Sequence, residues 1–145
     1  MKRFLLLAVF ALVGITALQA ATGDTPIQVA QMPAASQNFI KKYFGDSQVD
    51  HAVLKDRGLK KYEVVFVNGT EIEFDAQGEW MEVDCEHGAV PEAIIPRKVL
   101  NYVQKNHPGR RIVTIKRDTR GYGIELDNDL DLKFDRNFRL MKMDD

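Results

Sequence analysis

YEVVFVNGTEIEFDAQGEWMEVD, residues 62–84, recurs sixty positions later as YGIELDNDLDLKFDRNFRLMKMD, residues 122–144. Tyr62, Asn68, Phe74, Asp75, Met81 and Asp84 match Tyr122, Asn128, Phe134, Asp135, Met141 and Asp144. A chain that repeats itself over its best-patterned stretch predicts one structural unit used twice. Neither copy carries an obvious set of reactive side chains, which argues against a catalytic centre.

Working outward, a proline-led helix precedes each copy. Pro33 and Pro96 sit where a helix start tolerates proline. Phe39, Ile40, Tyr43 and Phe44 share one helical face, as do Val99, Leu100 and Val103 with Tyr102 on the flank. Gly45 and Pro108-Gly109 end the two helices. Four short strands follow each helix: 49–55, 61–66, 70–74 and 79–84, then 112–117, 122–126, 130–134 and 138–144. The expected fold is α+β, a tandem αββββ repeat with helices packed on one face of a curved antiparallel sheet.

The hairpin after the second strand of each copy sets the faces. A two-residue Asn-Gly loop would bury Glu125 and Asp127 beside Leu132, which is costly. A three-residue loop instead puts Val64, Phe66, Thr70, Ile72 and Phe74 on one face, with Gly69 in a left-handed bulge position. Ile124, Leu126, Leu130, Leu132 and Phe134 follow, with Asp129 in the place of Gly69. The opposite face is then polar: Lys61, Glu63, Glu71, Glu73, Glu125, Asp131 and Lys133. One solvated face is common in antiparallel sheets. Met81, Val83, Met141 and Met143 are expected to face the core. Trp80 then joins Glu82 on the open face, with Leu140 and Lys142 as counterparts. There Trp80 would be a binding anchor. The alternative is that it packs against Phe74.

The ends divide as follows. Residues 1–20 have a basic start, an apolar run from Phe4 to Leu18 and a small-residue cleavage site, the order of a secretory signal peptide. Residues 21–31 read as a flexible leader, 32–84 as repeat 1, 85–95 as a linker and 96–145 as repeat 2, the two repeats forming one structural unit. The remainder offers no membrane span, so a periplasmic or secreted protein is expected. The 145-residue chain has a formal charge of −1, and a mildly acidic mature part does not suggest nucleic acid. Cys85 is the only cysteine, so packing without an internal disulfide must hold the fold.

The helix led by Pro33, Gly58 to Tyr62, Asn68-Gly69, Phe74-Asp75-Ala76-Gln77-Gly78-Glu79-Trp80 and Glu82-Val83-Asp84 together resemble the PepSY-like, β-lactamase-inhibitor-like periplasmic proteins. The second copy keeps Pro96, Gly121-Tyr122, Asn128 and Phe134-Asp135, and loses glycines at Asp129 and Phe138. The resemblance covers nearly the whole mature chain. It implies helices backing a curved antiparallel sheet, an exported address and an inhibitory or protein-binding role. It transfers no contact residues.

A non-enzymatic binding protein is therefore expected. Its partner would be a protein of the cell envelope, met by the open face through Trp80, Glu71, Glu73, Glu82, Lys133 and Leu140. The alternative is a calcium- or small-ligand-binding sensor. Asp127, Asp129 and Asp131 alternate as oxygen ligands do at the start of a calcium loop. Leu132 and Phe138 stand where that loop needs glycine and a bidentate glutamate, and turn chemistry explains the same residues. An enzyme using the acidic face, through Glu71 and Glu73, is the third reading. Ser36 and Ser47 lie in no nucleophile motif. Cys85 with His87 is too small a set for a structural zinc site.

Overall fold

The computed structural model describes residues 23–145; the expected signal peptide lies outside the described residues. Nine strands form one sheet in chain order, every neighbouring pair antiparallel. They are β1 (Thr25–Ile27), β2 (Val49–Leu54), β3 (Tyr62–Phe66), β4 (Glu71–Phe74), β5 (Trp80–Asp84), β6 (Ile112–Asp118), β7 (Gly121–Leu126), β8 (Asp131–Asp135) and β9 (Leu140–Asp144). Helix α1 (Ala34–Phe44) joins β1 to β2, and α2 (Arg97–Asn106) joins β5 to β6.

Strand register explains why one face is dry. Directly opposed residues share a face. The row Ile27, Ala52, Val64, Ile72, Val83, Ile115, Ile124, Leu132 and Met143 runs across all nine strands through successive pairings. Phe74 and Phe134 lie two residues from Ile72 and Leu132, so they project to that same side. Helix α1 covers the first part: Phe39 meets Phe74 edge-on at 5.8 Å and stacks on Trp80 at 6.1 Å, while Phe44 stacks on Phe66 at 5.7 Å. Helix α2 covers the second: Tyr102 meets Phe134 edge-on at 5.4 Å, and Val99 and Val103 are buried. One continuous apolar cluster results.

The three-residue hairpin loops form as expected. Phe66 N donates to Thr70 O and Leu126 N to Leu130 O. Gly69 (φ 88°) and Asp129 (φ 66°) take the left-handed position. Aspartate tolerates that conformation.

The structure corrects three expectations. The leader is not structureless: Thr25–Ile27 pair with β2, and Val29–Gln31 form a 3-10 turn. Trp80 is a core residue, only 9% exposed. The pairing steps from Glu73↔Glu82 to Phe74↔Trp80, which leaves Met81 as an extra bulge residue. That bulge shifts the alternation by one and turns Trp80 inward. Met141 does the same in β9, where Lys133 pairs with Lys142 and Phe134 with Leu140. Leu140 therefore belongs to the helix-covered face rather than the open one. The third correction is that Met141 and Met143 are 68% and 53% exposed, because β9 is an edge strand with no further neighbour among the described residues.

Candidate functional site

The face without helices carries a second register row. Glu63, Glu73 and Glu82 stand directly opposite one another, followed by Lys116, Gly123, Lys133 and Lys142. Three glutamates thus lie across β3–β5, and three lysines around a glycine lie across β6–β9. Of the residues expected on this face, Glu71, Glu73, Glu82 and Lys133 are there; Trp80 and Leu140 are not.

Like charges placed opposite one another repel, and lysines reaching over from neighbouring segments offset this. Lys55 at the end of β2 pairs with Glu63 and lies 3.3 Å from Glu73. Lys60, before β3, lies 2.7 Å from Glu73 and also pairs with Glu82. Lys116 of β6 lies 3.2 Å from Glu82, so the network crosses from the glutamate strands to the lysine strands. Burial would raise the pKa of Glu73, but Lys60 and Lys55 outweigh that and hold it below the usual carboxylate range. The lysines respond in kind. Burial works against their charge, yet the glutamates keep both above the ordinary value.

Glu71 is left out of this neutralisation. Burial first, then the neighbouring Glu63 and Glu73 carboxylates, push it up to about 7. Glu63, Glu71 and Glu73 have carboxylate oxygens within 4.8 Å of one another, the one such acidic, histidine or cysteine group among the described residues. A carboxyl whose pKa is higher folded than unfolded favours the fold when protonated. Its stabilising effect is complete below about 4.5 and is lost as the pH rises to about 7. We expect Glu71→Gln to remove this dependence. Its melting temperature should exceed that of the unsubstituted protein increasingly from pH 4.5 to 7 and hold the lead above. Parallel pH-melting curves for the two proteins would contradict the assignment.

Around Gly123 the face opens into two adjoining grooves. One of about 410 Å³ is bounded by Lys116, Asp118, Arg120, Lys133, Asp135 and Met141, with Gly121 and Gly123 in its floor. The other, about 290 Å³, runs on past Thr114, Glu125 and Asp131. Glu63, the first-half counterpart of Gly123, carries a side chain in the charge network. At Gly123 a Cβ would meet nothing within 4 Å. This substitution between the copies was visible in the sequence, but its effect needed the register.

Asp127, Asp129 and Asp131 do not gather into a comparable cluster. Asp127 faces Arg111 at 3.3 Å and Arg110 at 3.7 Å, Asp129 occupies the left-handed turn position, and Asp131 is on β8. Cys85 is a buried free thiol whose pKa is raised by burial, against a hydrogen bond from Thr70. No helix among the described residues is long and apolar enough to cross a membrane.

An open antiparallel meander with both helices on one side and a charged, grooved face on the other defines an α+β protein of the β-lactamase-inhibitor-like kind. The chain belongs to the family described as "Putative beta-lactamase-inhibitor-like, PepSY-like", whose model matches residues 60–142. No curated protein matches it. Among solved structures, it is similar to a "putative calcium-regulated periplasmic protein" from Bacteroides thetaiotaomicron: TM-score 0.83, 46% identity, covering 87% of this chain and 100% of that one. It is also similar to a "putative periplasmic protein" of the DUF2874 family from Bacteroides vulgatus ATCC 8482, with TM-score 0.82, 39% identity, and 87% and 100% coverage. A third relative, from the same strain and described as of unknown function, has TM-score 0.80, 32% identity, and 85% and 100% coverage.

Proposed function

We propose that the chain is an exported, non-enzymatic binding module of the periplasm that holds a protein of the cell envelope against its open sheet face. The observation that carries this reading is the cleft over Gly121 and Gly123, set in a face that the helices leave uncovered. Interfaces join a partly apolar centre to a polar rim. Here glycine backbone and Met141 supply the former, and Lys116, Arg120 and Lys133 the latter. The tandem αββββ organisation supports it too, since one repeat carries a filled charge network and the other an open cleft. The signal-like residues 1–20 and the relatives' periplasmic descriptions support the address.

A Cβ at Gly123 meets nothing within 4 Å, so Gly123→Arg can start its side chain there and occupy the cleft. Crosslinked partners recovered from envelope extract should be lost with Gly123→Arg and with Lys133→Glu, at unchanged melting temperature. Recovery of the same proteins by both variants would show that this face is not the binding surface.

Calcium regulation, the description of the Bacteroides thetaiotaomicron relative, supports a second reading. Hard oxygen donors suit calcium, and Glu63, Glu71 and Glu73 are the group that would hold it. Lys55 already occupies two of these carboxylates, so the ion would have to displace it. The Glu71 pH titration repeated in millimolar calcium tests this. Bound calcium should raise the melting temperature above pH 7 and abolish the Glu71→Gln difference; unchanged curves would exclude it.

A further inference from the structure

We propose that the outer face of the helix layer is an electrostatic docking surface for an anionic lipid bilayer. Helices α1 and α2 lie on the same side of the sheet, as the register row shows. Their sequences, AASQNFIKKYF and RKVLNYVQKN, contain five cationic side chains and no acidic one. The exposed positions are Ala34, Ala35, Asn38, Lys41 and Lys42 on α1, and Arg97, Lys98, Asn101, Gln104, Lys105 and Asn106 on α2. The acids nearest in sequence, Asp46 and Glu92, lie outside both helices. The patch extends to the β8–β9 turn, where Lys98 Nζ sits 5.9 Å from the Phe138 ring and exposed Arg136 and Arg139 flank that ring in sequence.

Two observations separate this from ordinary solvated charge. The helix dipole favours cations in a last turn, which accounts for Lys41, Lys42 and Lys105. It disfavours them in a first turn, yet α2 opens with Arg97 and Lys98, has no acid there and no side-chain cap. The helix's own stability does not call for those charges. The second observation is the contrast between faces. On the sheet side, Lys55, Lys60 and Lys116 are tied to glutamates. Among the described residues no such pair neutralises any of the five helix cations, whereas on the sheet side Lys133 alone of the register-row lysines is unpaired.

The shape fits a bilayer rather than a folded partner. Neither groove involves a helix residue. Among the described residues no large exposed apolar side chain lies on a helix, which leaves the helices themselves without an apolar anchor; Leu54, Leu140 and Met143, exposed on this side of the sheet, belong to β2 and β9. A broad set of long, exposed cations matches the diffuse field of headgroup phosphates. Such docking holds the protein at the membrane by charge alone and turns the open sheet face outward. It stands independently of what that face binds.

The test is cosedimentation with vesicles of phosphatidylglycerol and phosphatidylcholine in equal parts, against pure phosphatidylcholine. At about 0.01 M salt, partitioning onto the anionic vesicles should be at least roughly tenfold stronger, and it should vanish at about 1 M salt. The variant Lys41→Gln, Lys42→Gln, Lys98→Gln, Lys105→Gln should lose roughly tenfold or more of that binding. Lys41, Lys42 and Lys105 suit the helix dipole, so this variant's melting temperature should fall slightly, and binding is compared well below it, where both proteins are folded. Lys133→Gln, on the sheet face, should bind as before. Equal binding to both vesicle types, salt-insensitive binding, or full binding by the helix variant would overturn the proposal. So would binding to soluble polyglutamate without binding to vesicles, which would assign the patch to an acidic polymer.

Discussion

Phe74→Ala and Phe134→Ala should each lower one cooperative unfolding transition, by about 3–5 kcal/mol. Phe74 is 0% and Phe134 3% exposed, and each ring is met edge-on by an aromatic from its own helix. Total stability for a domain of this kind is about 5–15 kcal/mol, so either change removes a large fraction. The single transition follows from the seam. Val83 of β5 pairs with Ile115 of β6, both fully buried, and the apolar cluster runs through them. Each half alone would bury too little surface to be robust. Calorimetry of Phe134→Ala decides the point. A split melt that leaves one transition at its original temperature would mean two independently stable halves.

Gly121→Ala should be nearly as damaging. Gly121 has φ 151°, and an added Cβ would lie 2.0 Å from the carbonyl oxygen of Phe134 and 2.8 Å from the Asp135 carbonyl carbon. Those atoms belong to the β8 backbone, which pairs with Gly121 itself. They cannot withdraw without opening the ladder. Backbone strain and overpacking together should cost about 3 kcal/mol or more. Gly123→Ala, two residues along the same strand, meets nothing within 4 Å. It should be neutral or slightly stabilising, within about 1 kcal/mol. Urea denaturation of the pair checks this, and similar losses for both would contradict the geometry.

Much of this architecture was legible because repeated residues constrain each other. The hairpin register could be chosen since the wrong one buries Glu125 in the second copy, even though the first copy alone permits it. Trp80 was misplaced for a physical reason: alternation cannot reveal a bulge, and the extra residue Met81 looks like any other strand position. β1 was missed because three residues contain too little pattern, and its order comes from the backbone of β2. The glutamate and lysine rows were equally hidden. Their members are far apart in sequence, and only the pairing of strands lines them up. The absence of acids from both helices, by contrast, could have been read directly.

Among the described residues, the strictly sequential sheet ends in two margins, and they are unlike. One is β1, three residues long with Pro26 at its centre, which lacks a backbone donor. Short, proline-bearing edges resist the addition of another strand. The other is β9, five residues without proline. Growth by strand addition is therefore one-sided. Copies of the chain laid edge to edge would meet a short, proline-bearing margin that resists extension into a fibre. Two chains joined at β9 would already have exhausted the available edges, a limit that sedimentation at rising concentration would register as nothing larger than a pair.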